Sequence, residues 1–485
     1  MTPERFELTP GLSASRVITG LWQIADMERG GKIVDPEVGA RAMERYVAAG
    51  LTTFDMADHY GSSEVIAGHY RSTRGTAAPV ETLTKWVPQP GPISRSDVVA
   101  AVDLARRRLQ TERLELLQFH SWTYDDPSWL DALFHLADLR EEGAIGAIGL
   151  TNFDTAHLNM ALASGVPIAS NQVSFSLLDR RALNGMTELC ERSGVKLLAY
   201  GTVAGGLLTE RWLGKDEPDW DNDAGISWSL NKYRRFIEQA GGWKTYQDLL
   251  VTLSEVAGKH GISIANVASR AILDTPGIGA VIIGARLGES EHVDDTLKLF
   301  DLRLDDADRA DIDAALSRLR SLPGDCGDEY RKAPYLTASG DLSHHLDDLP
   351  APFATIYEDA ARHVVGSGTA WERIAGYGRA QRIGDRVLVS GTTAMHGERL
   401  IGGSDAAAQT HFVIDKIEGA LRSLGAGLQD VVRTRIYVPD QSHADAVARA
   451  HGQRLAGVWP ANTLVVAGLV GSDQLVEMEA EALVR

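Results

Sequence analysis

From Val17 to about Phe300 the chain repeats one unit: a short run of apolar or β-branched residues, then a stretch whose apolar residues recur at helical spacing. The short runs fall at Val17–Gly20, Thr53–Asp55, Thr82–Lys85, Leu114–His120, Ile145–Leu150, Ala169–Gln172, Lys196–Ala199 and Ala280–Ile283. Between them, sets such as Val98, Val102, Ala105 and Leu109 mark one face of a helix. Gly50, Gly143, Gly165, Gly194 and Gly261 stand where helices should close. Eight strands, each followed by a helix, predict an α/β fold, the (β/α)8 or TIM barrel. The competing doubly wound sheet should carry G-x-G-x-x-G after its first strand. Here that strand runs into Gly20-Leu21-Trp22-Gln23, and the spacing of Gly143, Gly146 and Gly149 does not match either.

The pattern lapses twice. Residues 209–243, after the seventh strand, hold Trp212, Trp220, Trp228, Tyr233 and Trp243. A loop this long in a compact domain is functional or disordered. Its aromatic content argues against disorder, so a lid is predicted. Residues 322–350 carry Pro, Gly and acidic clusters without a period and read as a tail. Beyond them, strand patterns at 386–390, 433–438, 464–467 and 475–481 and helical patterns at 406–424 and 444–457 describe a small α+β domain. The predicted division is a barrel over 1–321, a tail or linker over 322–352 and a second domain over 353–485.

Composition narrows the function classes. Hydrophobic residues make up 44% and charged residues 24%, the balance of a globular protein rather than a disordered or fibrous one. A net charge of -18 argues against nucleic acid and anionic membranes as partners. Cys190 and Cys326 are the only cysteines, which excludes a disulfide framework and favours a reducing compartment. No run approaches the ~20 apolar residues of a membrane span. The opening MTPERFELTPGL lacks a signal core, so a cytoplasmic location is expected. The Asp325-Cys326-Gly327-Asp328-Glu329 and His344-His345 clusters lack metal-ligand spacing, and no metal is expected.

In a barrel, catalytic groups gather at the C-terminal ends of strands. Those ends give Asp55, with Tyr60 five residues on, then Lys85 and His120 on the next two strands. The set makes sense as a proton donor. A free phenol is too weak an acid near neutrality, and an adjacent ammonium should lower its pKa. Asp55 would hold Lys85 charged, and His120 could hydrogen-bond the oxygen being protonated.

The segments Phe54–Glu64 (FDMADHYGSSE), Lys85 after ETLT, LLQFH ending at His120, and Ile148–Phe153 (IGLTNF) resemble the aldo-keto reductase family over about residues 1–345. The resemblance implies Tyr60 as general acid, tuned by Lys85 and Asp55, with His120 orienting a carbonyl. It also implies a nicotinamide cofactor bound at the barrel mouth without a Rossmann fold. Asn152 and Gln172 match the amides that hold the carboxamide, and Tyr200 the aromatic that stacks on the ring. Gly201 opens the pyrophosphate-side loop. Gly284 and Arg286 end the eighth strand, where Arg286 resembles the contact to a 2'-phosphate, so NADPH is expected rather than NADH. Thr296 stands where the family often has an adenine-binding Asn. Asn152 could instead be a helix cap, and Arg286 an ordinary ion-pair partner. Trp22, Trp86 and Trp122 lie close to strand ends and either wall an apolar substrate pocket or plug the barrel mouth.

In the second domain, Tyr377–Gly391 (YGRAQRIGDRVLVSG), Asp430–Asp440, Pro460–Thr463 (PANT) and Val476–Ala482 resemble the reactive-intermediate deaminase family (RidA-like, YjgF), with its chorismate mutase-like fold. By that resemblance Glu477 activates water, Tyr377 and Ser390 line a cleft, and subunits assemble as trimers. The arginine that grips a substrate carboxylate is replaced by Asn462, and a neutral amide is no substitute for a bidentate cation. The expected activity is NADPH-dependent reduction of an aldehyde or ketone. The alternatives are imine reduction, imine or enamine hydrolysis by the second domain, and a non-catalytic NADPH-binding regulator.

Overall fold

The alternation is realised as a closed barrel in the computed structural model, which describes residues 3–25, 33–74, 77–223, 225–290, 292–337, 340 and 349–484. A hairpin, β1 (Arg5–Thr9) and β2 (Leu12–Ser15), precedes it. Eight strands follow: β3 (Val17–Gly20), β4 (Thr53–Asp55), β5 (Glu81–Trp86), β6 (Leu114–Phe119), β7 (Ile145–Thr151), β8 (Ile168–Ser174), β9 (Lys196–Tyr200) and β10 (Ile278–Gly284). They pair in parallel in sequence order, and β10 closes the ring against β3 and β9. Ile18, Leu83, Leu116, Ala147, Leu198, Ala280 and Ile282 fill the interior, and Leu8 of the hairpin packs with them.

Local chemistry sets the helix ends. Asp35 caps the Pro36–Ala48 helix by accepting from the Glu37 and Val38 amides, with Pro36 in the first turn. Ser94 and Asp97 form a reciprocal capping box at the start of Arg95–Leu109. The Met186–Ser193 and Trp243–His260 helices close on Gly194 and Gly261 in the left-handed region, which glycine enters without a Cβ clash.

Residues 209–243 are not a bare loop, which corrects the prediction. They contain the Trp228–Ala240 helix, capped by Ser227. Trp212, Trp220 and Trp243 pack ring against ring at 5.8–6.2 Å and continue the main hydrophobic core. Residues 322–337, within the stretch read as a tail, pack into the molecule. Cys326, Glu329 and Leu336 are buried, and Asp328–Arg331 forms a short helix.

The second domain is one seven-stranded sheet. Its strands are β11 (Ala354–Glu358), β12 (Arg362–Gly366), β13 (Ala380–Ile383), β14 (Arg386–Thr393), β17 (Val431–Val438), β18 (Ala461–Val466) and β19 (Glu477–Leu483), in the order β11-β12-β13-β14-β19-β17-β18. A minor hairpin, β15 (Met395–His396) and β16 (Arg399–Leu400), branches off. The Ala406–Arg422 helix covers one face, where Met478, Ala480 and Ala482 are buried. The other face carries Arg433, Arg435, Glu479 and Glu481, paired with one another.

The same helix also docks on the barrel, against the Thr155–Ala163 helix. His157 lies at the centre of this contact. Its Nδ1 is 2.7 Å from Asp154 and its Nε2 3.0 Å from Asp415 of the second domain. Arg454 pairs with Asp415 and Glu418. Arg422 reaches Asp125, and Asn159 donates to Asp405 at 2.8 Å. Burial opposes a charge on His157, but the two carboxylates outweigh it and hold the imidazole above its usual pKa.

Among the described residues no helix is long and apolar enough to cross a membrane, and no group of three or more metal-ligating side chains gathers. His344 and His345 lie outside the described residues.

Candidate active site

The strand register lines up the first functional groups. Asp55 pairs with Gly20 on one side and Leu83 on the other, and Lys85 stands opposite Gln118. Asp55 and Lys85 are both buried. Lys85 Nζ donates to Asp55 Oδ2 at 2.6 Å and to the Met56 carbonyl at 3.0 Å. Asp55 Oδ1 accepts from Gln118 at 3.1 Å and from Gln172 at 2.7 Å. A buried ion pair is stable only when its remaining lone pairs are satisfied, and the two amides do this.

Tyr60 follows β4 in its loop. The Lys85 ammonium lies 4.8 Å from the centre of its ring. Trp22 packs edge-on against the same ring at 5.0 Å and His59 at 4.8 Å. The expected acidification is not found. Burial raises the Tyr60 pKa well above that of a free phenol, and the negative charge of Asp55 adds to it. The reason is that Asp55 already neutralises Lys85, which leaves little net positive potential at the phenol. Burial likewise lowers the Lys85 pKa, against the pull of Asp55. The phenol is therefore protonated at neutral pH. His120, after β6, is buried, with the Trp122 ring at 4.5 Å and the Tyr330 ring at 5.9 Å, both edge-to-face.

The expected cofactor residues lie on the neighbouring strands. Asn152 sits at a positive φ of 57° just past β7, and its amide N–H is bound by the Gln172 carbonyl at 2.8 Å. Asp154, not Asn152, caps the helix that follows. A hydrogen-bonded chain runs along the mouth: Lys232 donates to Tyr330 at 2.7 Å, Tyr330 to Tyr200 at 3.0 Å, and Tyr200 to Asn152 Oδ1 at 2.9 Å. Asn152 Nδ2 and Gln172 Oε1 then remain without a hydrogen-bond partner among the described residues. One free donor and one free acceptor match the two halves of a carboxamide, so the residues present fit a nicotinamide. Gly201, at φ 74°, lies so close to Tyr233 that a Cβ there would meet its hydroxyl at 2.2 Å. A Cβ on Gly284 would meet Gln23 at 2.5 Å. Arg286 is exposed past β10, and its side chain pairs with no described residue. Thr296 is buried in the Val293–Lys298 helix.

The three tryptophans separate. Trp22 touches Tyr60 and Trp122 touches His120. Trp86 packs on Phe119 at 5.5 Å, within the core.

Sequence reasoning missed Gln118, Lys232, Tyr330 and Arg331. Arg331 donates to the Ser121 carbonyl at 2.6 Å and the Asn152 carbonyl at 2.6 Å. It thus ties together the loops that follow β6 and β7. Gln118 could have been found from its place two residues before His120 on a strand. The other three sit outside the barrel repeat, where no local signal marks them.

The second-domain residues do not form one cluster in the chain. Ser390 donates to the Gly378 carbonyl at 2.8 Å, next to Tyr377. Glu477 faces the Gly391 backbone, where a Cβ would meet its carboxylate at 2.2 Å. Burial raises the Glu477 pKa. Asn462 stands apart, donating to Thr434 at 2.9 Å. On β17, Thr434 and Tyr437 are the residues paired with Asn462 and Glu477, so roughly 10 Å of strand separates the two sites.

A parallel barrel with a buried Lys–Asp pair beneath a tyrosine and a histidine at its mouth defines an oxidoreductase of the barrel type. Residues 16–317 match the model of the aldo/keto reductase family, and the chain belongs to that family, whose members generally bind NAD(P)H. Residues 368–484 match the Endoribonuclease L-PSP model, the RidA-like group. Aldo-keto reductase YhdN of Bacillus subtilis is 27% identical over 341 residues, 67% of this chain and 96% of its own. An uncharacterized protein of Streptomyces coelicolor is 41% identical over 119 residues, 24% of this chain and 89% of its own. The glycerol dehydrogenase of Gluconobacter oxydans shares the fold, with a TM-score of 0.50 at 23% identity, over 65% of this chain and 95% of its own.

Proposed function

We infer that the barrel reduces an aldehyde or ketone to an alcohol with NADPH, and that Tyr60 gives the proton. The observation that carries this reading is the buried Lys85–Asp55 pair against the face of the Tyr60 ring, with His120 at the same mouth. Bound NADPH supplies the hydride. Asn152 Nδ2 and Gln172 Oε1 would hold its carboxamide, Tyr200 would contact the nicotinamide, and Arg286 would take the 2'-phosphate. His120 and Tyr60 hydrogen-bond the carbonyl oxygen and fix its orientation. The raised pKa keeps Tyr60 protonated until negative charge develops on that oxygen. As the proton leaves, Lys85 over the Tyr60 ring is a cation beside the phenolate, and Asp55 keeps it in place. Trp22 and Trp122 flank the carbonyl, whereas Trp86 supports the wall from the core.

The second domain serves assembly. Support comes from the sheet face opposite the Ala406–Arg422 helix, where Arg433, Arg435, Glu479 and Glu481 pair among themselves and no other described element packs, and from Asn462 in place of a carboxylate-binding arginine. We place the protein in the cytoplasm as a trimer built on that face. The residue division we propose is a barrel over 1–321, a segment over 322–352 whose Tyr330 and Arg331 complete the barrel mouth before it connects onward, and the second domain over 353–485.

The test is NADPH oxidation with a panel of aldehydes, ketones and cyclic imines. Tyr60→Phe should lower kcat/KM by about 10³-fold for every accepted carbonyl. An unchanged rate in Tyr60→Phe, or turnover of imines alone, would remove the reading.

A further inference from the structure

Lys232 heads the hydrogen-bonded chain through Tyr330 and Tyr200 to Asn152, but that chain uses only one of its N–H donors. The residue lies on the Trp228–Ala240 helix, outside the barrel repeat. Its ammonium is 4.7 Å from the centre of the Tyr200 ring, 4.9 Å from Tyr330 and 5.3 Å from Tyr233. An ammonium carries three N–H donors. One goes to the Tyr330 hydroxyl, and no carboxylate among the described residues lies within 4.0 Å of it. The nearby Glu329 is committed elsewhere, to Arg181 at 2.8 Å. Burial works against this charge, but the surrounding phenols and Glu329 outweigh it and raise the Lys232 pKa, so it is a cation at all ordinary pH. A buried or half-buried cation held by aromatic faces and a single neutral acceptor has unspent capacity for an anion.

The position selects which anion. Tyr330, which holds Lys232, presents its ring to His120 at 5.9 Å. His120 is the group assigned to the reacting carbonyl, so Lys232 lies on the substrate side of the mouth. We propose that Lys232 binds a carboxylate carried by the substrate, so that the barrel prefers aldehydes or ketones bearing an acid group remote from the carbonyl. The proposal rests on the carbonyl-reducing reading and names its substrate class. Trp22 supplies an apolar wall beside Tyr60, and Lys232 with Tyr330 supplies the polar end. Both Lys232 and Tyr330 come from segments outside the eight-fold repeat, where specificity can vary without touching the tetrad.

Two measurements separate this proposal from the reading beneath it. In the first, kcat/KM is compared for para-carboxybenzaldehyde and its methyl ester, which differ in charge but little in shape. The acid should be preferred by at least about tenfold. Lys232→Met should abolish that preference; the readout is the acid-to-ester ratio, because a loss passed through Tyr330 and Tyr200 to the cofactor end lowers both substrates alike. In the second, benzoate and benzamide are titrated against the full chain by tryptophan fluorescence, with no turnover required. Benzoate should bind wild type at least about tenfold more tightly than Lys232→Met, and benzamide should not distinguish them. If Lys232→Met also loses the ester rate, Lys232→Gln, which keeps a donor, carries the same comparison. Equal handling of acid and ester by wild type, or a rise in KM for NADPH in Lys232→Met with the acid preference kept, overturns the proposal. The second outcome would assign Lys232 to a cofactor phosphate. Benzoate binding without reduction of either aldehyde would keep the anion site and remove the reductase reading.

Discussion

The mouth of the barrel and the sheet of the second domain both carry a carboxylate, a tyrosine and further polar groups, but they are built on opposite plans. At the barrel mouth the Asp55 and Lys85 charges are buried and spent on each other. Asp55 takes hydrogen bonds from Lys85, Gln118 and Gln172, and Lys85 from its side reaches a second acceptor in the Met56 carbonyl. In the second domain Glu477 is half-buried, Tyr377 and Asn462 are exposed, and Asn462 lies several residues along the sheet from Glu477. The first region is preorganised within one chain. The second offers separate patches on an open face, a plan that fits completion by another copy better than chemistry in isolation.

The sharpest way to break this comparison is to disable each region and read the other. Glu477→Gln should leave carbonyl reduction within about twofold of wild type, since distant sites act independently, while Tyr60→Phe removes it. A fall in reductase activity with Glu477→Gln would mean that the two regions share one reaction. Next in size is the joint between them. His157→Ala strands Asp154 and Asp415 as buried, partly uncompensated charges, and should cost about 3 kcal/mol. Differential scanning calorimetry would register it as a lower melting temperature. At the cofactor end, Arg286→Gln should raise the KM for NADPH by about 30-fold, roughly 2 kcal/mol for one charge-assisted contact. The KM for NADH should not move. Equal effects on both cofactors would return Arg286 to the ordinary surface.

The smallest effect is a pH slope. His157 binds its proton more tightly folded than unfolded. Its stabilisation is therefore complete below the ordinary imidazole pKa of 6.5 and fades as pH rises through the higher folded value. Melting temperature should decline on that alkaline side in wild type and lose this component in His157→Asn. A wild-type curve that stays flat there would show that the imidazole is neutral in the joint.

Much of the barrel was legible because strand and helix periods are local properties. All eight barrel strands lie within two residues of their predicted ends at either terminus. Asp55, Tyr60, Lys85 and His120 were legible for the same reason, since strand ends point one way in this fold. The acidity of Tyr60 was not, because its sign depends on how far Asp55 cancels Lys85 and on burial, neither of which is a sequence quantity. In the second domain β11 escaped notice because all five of its residues are exposed and show no alternation. The Asp328–Arg331 turn escaped because what it does is decided by partners some 100 to 200 positions earlier in the chain.

Arg331 carries a practical consequence. The family match stops at residue 317, and a barrel excised there would look complete by strand count. It would lack the guanidinium that clamps the Ser121 and Asn152 carbonyls and the phenol that positions Lys232. Trimming this protein at its apparent family boundary would remove the one guanidinium that hydrogen-bonds both rim loops among the described residues. Dissection of the two halves should therefore cut after the clamp.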